Sequence, residues 1–178
     1  LEFRRVLFRS ATRIAALLSG EVDFVYTVPP QDMPRIAGTQ GLKLAQGPEL
    51  RTIYLGFDQL RPELQESSVK GKNPFKDRKV RQAFYQAIDM EAIRSRVMRG
   101  QANVSALMIG PGVNGYTDDQ NKRAPFDVDA AKKLLAEAGY PNGFEVGMDC
   151  PNDRYVNDEQ ICQAVTAMLA RAGIKVNL

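Results

Sequence analysis

Histidine and tryptophan are absent from this chain, and cysteine occurs only twice. Without imidazole there is no Ser-His-Asp or Cys-His nucleophilic site, no histidine general base and no His-containing zinc site. Without indole there is no tryptophan platform for stacking sugars. Two thiols are too few for a four-Cys zinc site or a conventional iron–sulfur cluster. No run of about 18 apolar residues occurs, so no membrane-spanning helix is expected. The apolar stretch within Leu1–Ser10 is too short to be the core of a secretory signal. An excess of one charge is lacking too. The 24 Lys+Arg face 21 Asp+Glu, and a net +3 so dispersed does not imply nucleic acid.

What is present suits a globular chain. The 178 residues are 44% apolar and 25% charged, about one domain's worth and enough to bury a core. The two ends read differently from the middle. Leu1–Ser10 carries three Arg and two Phe with no cap or turn logic, and is expected to be an artefactual, non-native stretch. At the other end Gly173 reads as a helix stop and Ile174–Leu178 as a strand just starting, so a fragment of a longer protein is expected.

Between the ends, periodicity predicts a helix over Ala11–Leu18 and a helical turn over Gln31–Ala37. It predicts short strands over Val22–Val28, Leu42–Ala45 and Arg51–Asp58. Leu60–Phe75 has linker composition. Asp77 is placed to cap a helix whose stripe is Val80, Ala83, Phe84, Ala87 and Ile88. Asp89 is a second cap, for Met90–Met98, and Asp127 a third, for Val128–Ala138. Gln101–Phe126 is mostly irregular. Phe144–Cys150, Asp158–Ala172 and Ile174–Leu178 then read strand, helix, strand: a βαβ crossover that implies parallel pairing and an α/β sheet.

Few residues point to chemistry. The loop Pro151–Asp158 (PNDRYVND) follows a predicted parallel strand and precedes a helix, where α/β sheets bind ligands. There Arg154 could pair a carboxylate, Asp153 hold an amine, Asn152 bond a peptide amide, and Tyr155 stack or donate. The same residues also suit a solvated turn, with Asn157 or Asp158 as the helix cap. Cys150 and Cys162 could close a disulfide over this loop or sit as two small buried hydrophobes, and their spacing decides neither. Gly110–Tyr116 lacks the phosphate-loop pattern. The Arg-rich stretch from Arg78 to Arg99 reads as a solvated helix face, and Asp118-Asp119 as a turn. No nucleophile–base pair can be assembled, so no catalytic residue, metal ligand or cofactor is assigned.

One segment is more specific. Asn73–Ile93 (NPFKDRKVRQAFYQAIDMEAI) resembles the signature of the family 5 extracytoplasmic solute-binding proteins, the dipeptide, oligopeptide and nickel receptors of ABC importers; Met90 stands where the family has Arg. Ala16–Phe24, Thr52–Asp58, Asp127–Tyr140 and Ala172–Leu178 resemble further family motifs in the same order. The resemblance implies a partial type II periplasmic-binding-protein-like α/β fold, a mixed sheet with flanking helices. It makes residues 11–58 the end of a first lobe with its crossing strand, and 59–178 the start of a second. It implies a monomeric, non-enzymatic receptor, periplasmic or otherwise extracytoplasmic, that binds small peptides between its lobes and passes them to permease subunits. It brings Asn152, Asp153, Arg154 and Tyr155 to the cleft, and an oxidising compartment strengthens the disulfide reading of Cys150 and Cys162. Other solutes on the same scaffold (a nickel chelate, glutathione, haem or an opine) are the near alternative. A small carboxylate or tyrosine enzyme and a stand-alone interaction module are the distant ones.

Overall fold

The apolar stripe of the Asp77-capped helix organises the larger of two cores. A computed structural model describes residues 10–152 and 154–178. Its elements run α1 (Ser10–Ser19), α2 (Met33–Ala37), a 3₁₀ turn (Pro74–Lys76), α3 (Arg78–Ala87) and α4 (Met90–Ala92), which continues as a π-helical turn (Ile93–Val97). Then follow α5 (Val128–Glu137), β1 (Phe144–Gly147), α6 (Asp158–Arg171) and β2 (Ile174–Asn177).

All three expected aspartate caps form. The Asp77, Asp89 and Asp127 carboxylates accept from the backbone N–H of Lys79, Ala92 and Ala130 at 2.8, 2.9 and 2.8 Å. Each satisfies one donor that the first helical turn leaves orphaned. Val80, Ala83, Phe84 and Ala87 are buried along α3, which packs on α5 through Ala131 and Leu135. β1 and β2 pair in parallel, Phe144 opposite Ile174, with α6 as the crossover. Phe144, Val146, Ile174 and Val176 point inward while Lys175 and Asn177 face out. A smaller core gathers Ile14, Leu17 and Ile36 with Val22, Val25, Val28, Leu42 and Leu44.

Several sequence expectations need correcting. Val22–Val28, Leu42–Ala45 and Arg51–Asp58 form no strands, because no neighbouring strand among the described residues takes up their backbone hydrogen bonds. Phe144–Cys150 and Ile174–Leu178 shorten to the four residues that pair. Met90–Met98 loses α geometry at Ile93. Leu60–Phe75 is not a linker, since Leu64, Ser67, Asn73 and Phe75 are buried. Ser67 bridges antiparallel to Val146, and the Ser67 hydroxyl and Ser68 N–H both donate to the Glu145 carbonyl at 3.0 Å. The sheet is mixed in that limited sense.

Two turns make the βαβ unit tight. Gly139 (φ +90°) ends α5, and Gly143 (φ +71°) lies so close to Gly173 that a Cβ would overlap the Gly173 carbonyl. Nothing lies within 4 Å of a Cβ built on Gly139. Gly139→Ala should therefore cost about 1 kcal/mol, the backbone penalty alone. Gly143→Ala should cost about 3 kcal/mol or more, because β1 and β2 must separate. Urea midpoints compare the two, and equal costs would contradict the packing.

An ion pair joins α3 to α5: Lys79 Nζ lies 2.9 Å from Glu137 Oε2. The hydrogen bond and the charge of Lys79 hold the Glu137 carboxyl below its ordinary pKa, and Glu137 in turn raises Lys79. A lowered carboxyl stabilises the fold above its ordinary pKa of 4.5 and loses that contribution as pH falls through the lowered value. A raised ammonium acts below its ordinary 10.5 and loses its contribution as pH rises through the raised value. Glu137→Gln should thus be less stable than the parent at neutral pH and equal to it once Glu137 is protonated. Both side chains are solvent-facing, so the difference should also shrink in high salt.

Candidate functional site

The C-terminal end of β1 feeds a loop that the sequence folds back on itself. Met148 N–H donates to the Asn177 carbonyl at 2.9 Å, extending the parallel pair by one bond. Cys150 and Cys162 are disulfide-bonded with their Cα atoms 6.4 Å apart, which ties the end of this strand segment to the second turn of α6. By chain entropy, closing a loop of this size stabilises by about 2–3 kcal/mol.

Inside that arch, Asp158 is the organiser. Its buried carboxylate accepts from the backbone N–H of Arg154 (2.8 Å), Tyr155 (3.0 Å) and Glu159 (2.9 Å). Its position in the first turn of α6 places negative charge at the positive end of the helix dipole. Asn157 takes a left-handed conformation (φ +56°) and donates from Nδ2 to the Val97 carbonyl at 2.9 Å, fixing the loop against the π-helical turn. Asn157 makes no side-chain capping bond to α6. The capping role expected of this pair goes instead to Asp158, which binds loop N–H groups as well as that of its neighbour.

The residues expected to line the site are placed as follows. Asn152 is exposed at the loop tip. Asp153 lies outside the described residues. Arg154 is exposed, with its guanidinium carbon 5.3 Å from the centroid of the Tyr155 ring. Tyr155 is half-buried and lines a cleft of about 260 Å³ with Thr52, Ile53 and Tyr54. Arg51 approaches the same ring at 5.8 Å and pairs with Glu49 at 2.7 Å. Both guanidinium–ring distances fall within the range of cation–π attraction.

Arg51 and Thr52–Tyr54 were not foreseen as site residues. They sit about a hundred residues from the loop, on a segment named only as the crossing between lobes. The crossing between lobes that the family resemblance implied for Thr52–Asp58 was the available signal. The segment is fixed from both sides. Thr52 Oγ1 donates to the Met108 carbonyl at 3.1 Å. Asp58 accepts from the N–H of Arg61 and Leu60; these bonds, Arg61 first, outweigh desolvation and hold its carboxyl below the usual range.

A larger groove of about 450 Å³ runs beside β1, lined in part by Ser67, Ser68 and Glu145. Part of its polar lining is already engaged: Ser67 and Ser68 bond the Glu145 backbone, and Lys175 pairs with the Glu145 side chain at 2.8 Å. The smaller cleft is the better candidate, because it joins Tyr155 of the expected loop to Thr52, Ile53 and Tyr54, with two guanidinium groups near the same ring.

A family model described as bacterial extracellular solute-binding proteins, family 5 Middle, matches residues 2–178. Heme-binding protein A of Haemophilus influenzae is 29% identical over 171 residues, covering 94% of this chain and 29% of that protein. The dipeptide-binding protein from Pseudoalteromonas sp. SM9913, solved with Met-Leu, is 29% identical with a TM-score of 0.74, over 94% of this chain and 31% of that one. The binding protein AgaA from A. tumefaciens R10, solved with agropinic acid, is 34% identical with a TM-score of 0.69, over 96% and 32%. The chain spans about 30% of the length of the curated relatives it matches.

Asp158→Ala removes the acceptor shared by three backbone N–H groups. It should cost about 1–3 kcal/mol and speed amide exchange at Arg154 and Tyr155. Asp158→Asn, which keeps one acceptor oxygen, should fall between the two. Unchanged protection at both amides would show that the carboxylate does not hold the loop.

Proposed function

The chain belongs to the bacterial extracellular solute-binding proteins of family 5, and on that premise we propose that it forms part of an ABC-importer receptor that captures di- or oligopeptides outside the inner membrane. The observation that carries this reading is the meeting of Tyr155, on the βα loop, with Thr52–Tyr54 on the crossing segment. A site shared by a crossing segment and a βα loop suits a ligand enclosed between lobes. The cleft is smaller than the ~300–1,000 Å³ of a complete small-molecule site, as expected of one wall.

In this reading residues 11–58 end the first lobe and 59–178 begin the second. The two separate apolar clusters, one around Ile14 and Ile36 and one around Phe84 and Ile174, support that division. The lobes close on the peptide by a hinge motion. Arg154 meets its carboxylate through a bidentate fork, Asp153 its amino group and Asn152 a peptide amide, while Tyr155 stacks on a side chain. The receptor acts as a monomer in the periplasm or at the cell exterior and hands the peptide to the permease subunits. No bond is made or broken in that task, and no nucleic acid or cofactor takes part.

Arg154→Ala in the whole receptor should weaken dipeptide binding about tenfold, read by isothermal titration calorimetry. An unchanged affinity would remove Arg154 from the site.

A further inference from the structure

The peptide reading leaves one cation at the cleft unused. Arg51 and Arg154 place their guanidinium carbons 5.8 and 5.3 Å from the same Tyr155 centroid. Laid end to end, those distances bound the separation of the two groups at about 11 Å, the reach of roughly three extended residues. Both cations are permanent, and their repulsion grows when an enclosed ligand displaces water.

Among the described residues, the acids nearby do not cancel that charge. Glu49 pairs with Arg51, but both side chains are nearly half exposed (49% and 42%), so the pair is solvent-facing and weak. Asp158 is turned inward to three backbone N–H groups. Among the described residues no carboxylate lines the cleft itself. Thr52 is committed to the Met108 carbonyl, which leaves the surfaces of Ile53 and Tyr54 beside the two cations.

We infer that Arg51 is a second anion contact, and that the cleft selects peptides carrying an acidic side chain in addition to the terminal carboxylate. This deepens the peptide reading and rests on it. Arg51 exchanges Glu49 for the ligand acid, its planar fork matching a carboxylate bidentately, while the aliphatic stem of the ligand lies on Ile53 and Tyr54.

Calorimetric titration of the whole receptor with Ala-Glu and Ala-Gln tests this, since the two dipeptides differ only in side-chain charge. The wild type should bind Ala-Glu about tenfold more tightly. R51Q should abolish that preference by weakening Ala-Glu far more than Ala-Gln, and R51K, which keeps the charge without the fork, should restore part of it. R154Q should weaken both peptides together. Equal wild-type affinities, or an R51Q variant that weakens both peptides alike, would overturn the role of Arg51 and leave the peptide reading standing. A wild type that binds neither these dipeptides nor tri- to pentapeptides ending in the same residues would overturn the peptide reading, and this inference with it.

Discussion

The aromatic cluster around Phe75 and Phe84 is the contact on which the candidate site depends. Phe57 lies 4.8 Å from Phe75 and 5.4 Å from Phe84, centroid to centroid. Phe144 lies 6.4 and 6.2 Å from the same two rings. Phe57 lies in the segment Thr52–Asp58 and Phe144 starts β1, so one cluster ties both to α3. Each such pair contributes about 0.5–1.5 kcal/mol beyond the area it buries. The crossing segment has no sheet ladder to hold it, so this anchorage matters more than it would for a paired strand. Asn73 reinforces it from beneath. Its buried amide donates to the carbonyls of Asp58 (2.8 Å) and Arg61 (3.1 Å) and accepts from Phe75 N–H at 2.9 Å.

Polar nodes do the same work for the long irregular stretch between α4 and α5. Arg123 lies 3.6 Å over the Tyr85 ring, and its Nη2 donates to the carbonyls of Tyr85 and Ile88. Asp127 N–H donates to the Gln86 carbonyl at 2.9 Å. Between them these donors satisfy carbonyls that the end of α3 leaves orphaned. Burial lowers the pKa of Arg123, and the Tyr85 side chain partly offsets that shift. Asn121 is a second node, its Oδ1 accepting from Ala106 N–H, Leu107 N–H and the Ser105 hydroxyl. A connection of this length without regular structure needs such fixed points, and through the Thr52–Met108 bond it steadies the crossing segment too.

Helices and the βαβ unit were legible in the sequence because their signals are local: an aspartate ahead of an apolar stripe, a glycine after it. The strands over Val22–Val28, Leu42–Ala45 and Arg51–Asp58 were misread because β-branched and aromatic residues report a preference for extended backbone, while a strand also requires a partner. Leu60–Phe75 was misread for the opposite reason. Asn73 and Ser67 look like loop residues, yet both are buried with satisfied hydrogen bonds that composition cannot display. At the candidate site, the ends-of-strands rule located the loop. It did not locate Arg51 or Tyr54, which come near Tyr155 only through the fold.

The loop also separates folding from recognition. Asp158 holds it through backbone N–H groups, the disulfide through residues outside its tip, and Asn157 through a backbone carbonyl. None of these contacts uses the side chain of Asn152 or Arg154. Substitution at those two positions therefore removes no contact that shapes the loop, and surface changes of that kind typically shift stability by less than about 0.5 kcal/mol. Tyr155 differs, being half-buried beside Thr52–Tyr54, and any change there alters the wall of the cleft itself. The chemistry of the loop surface can thus change at its two exposed positions while the backbone geometry stays fixed. The Tyr155 ring between the two arginines is the part that folding shares with the proposed binding role.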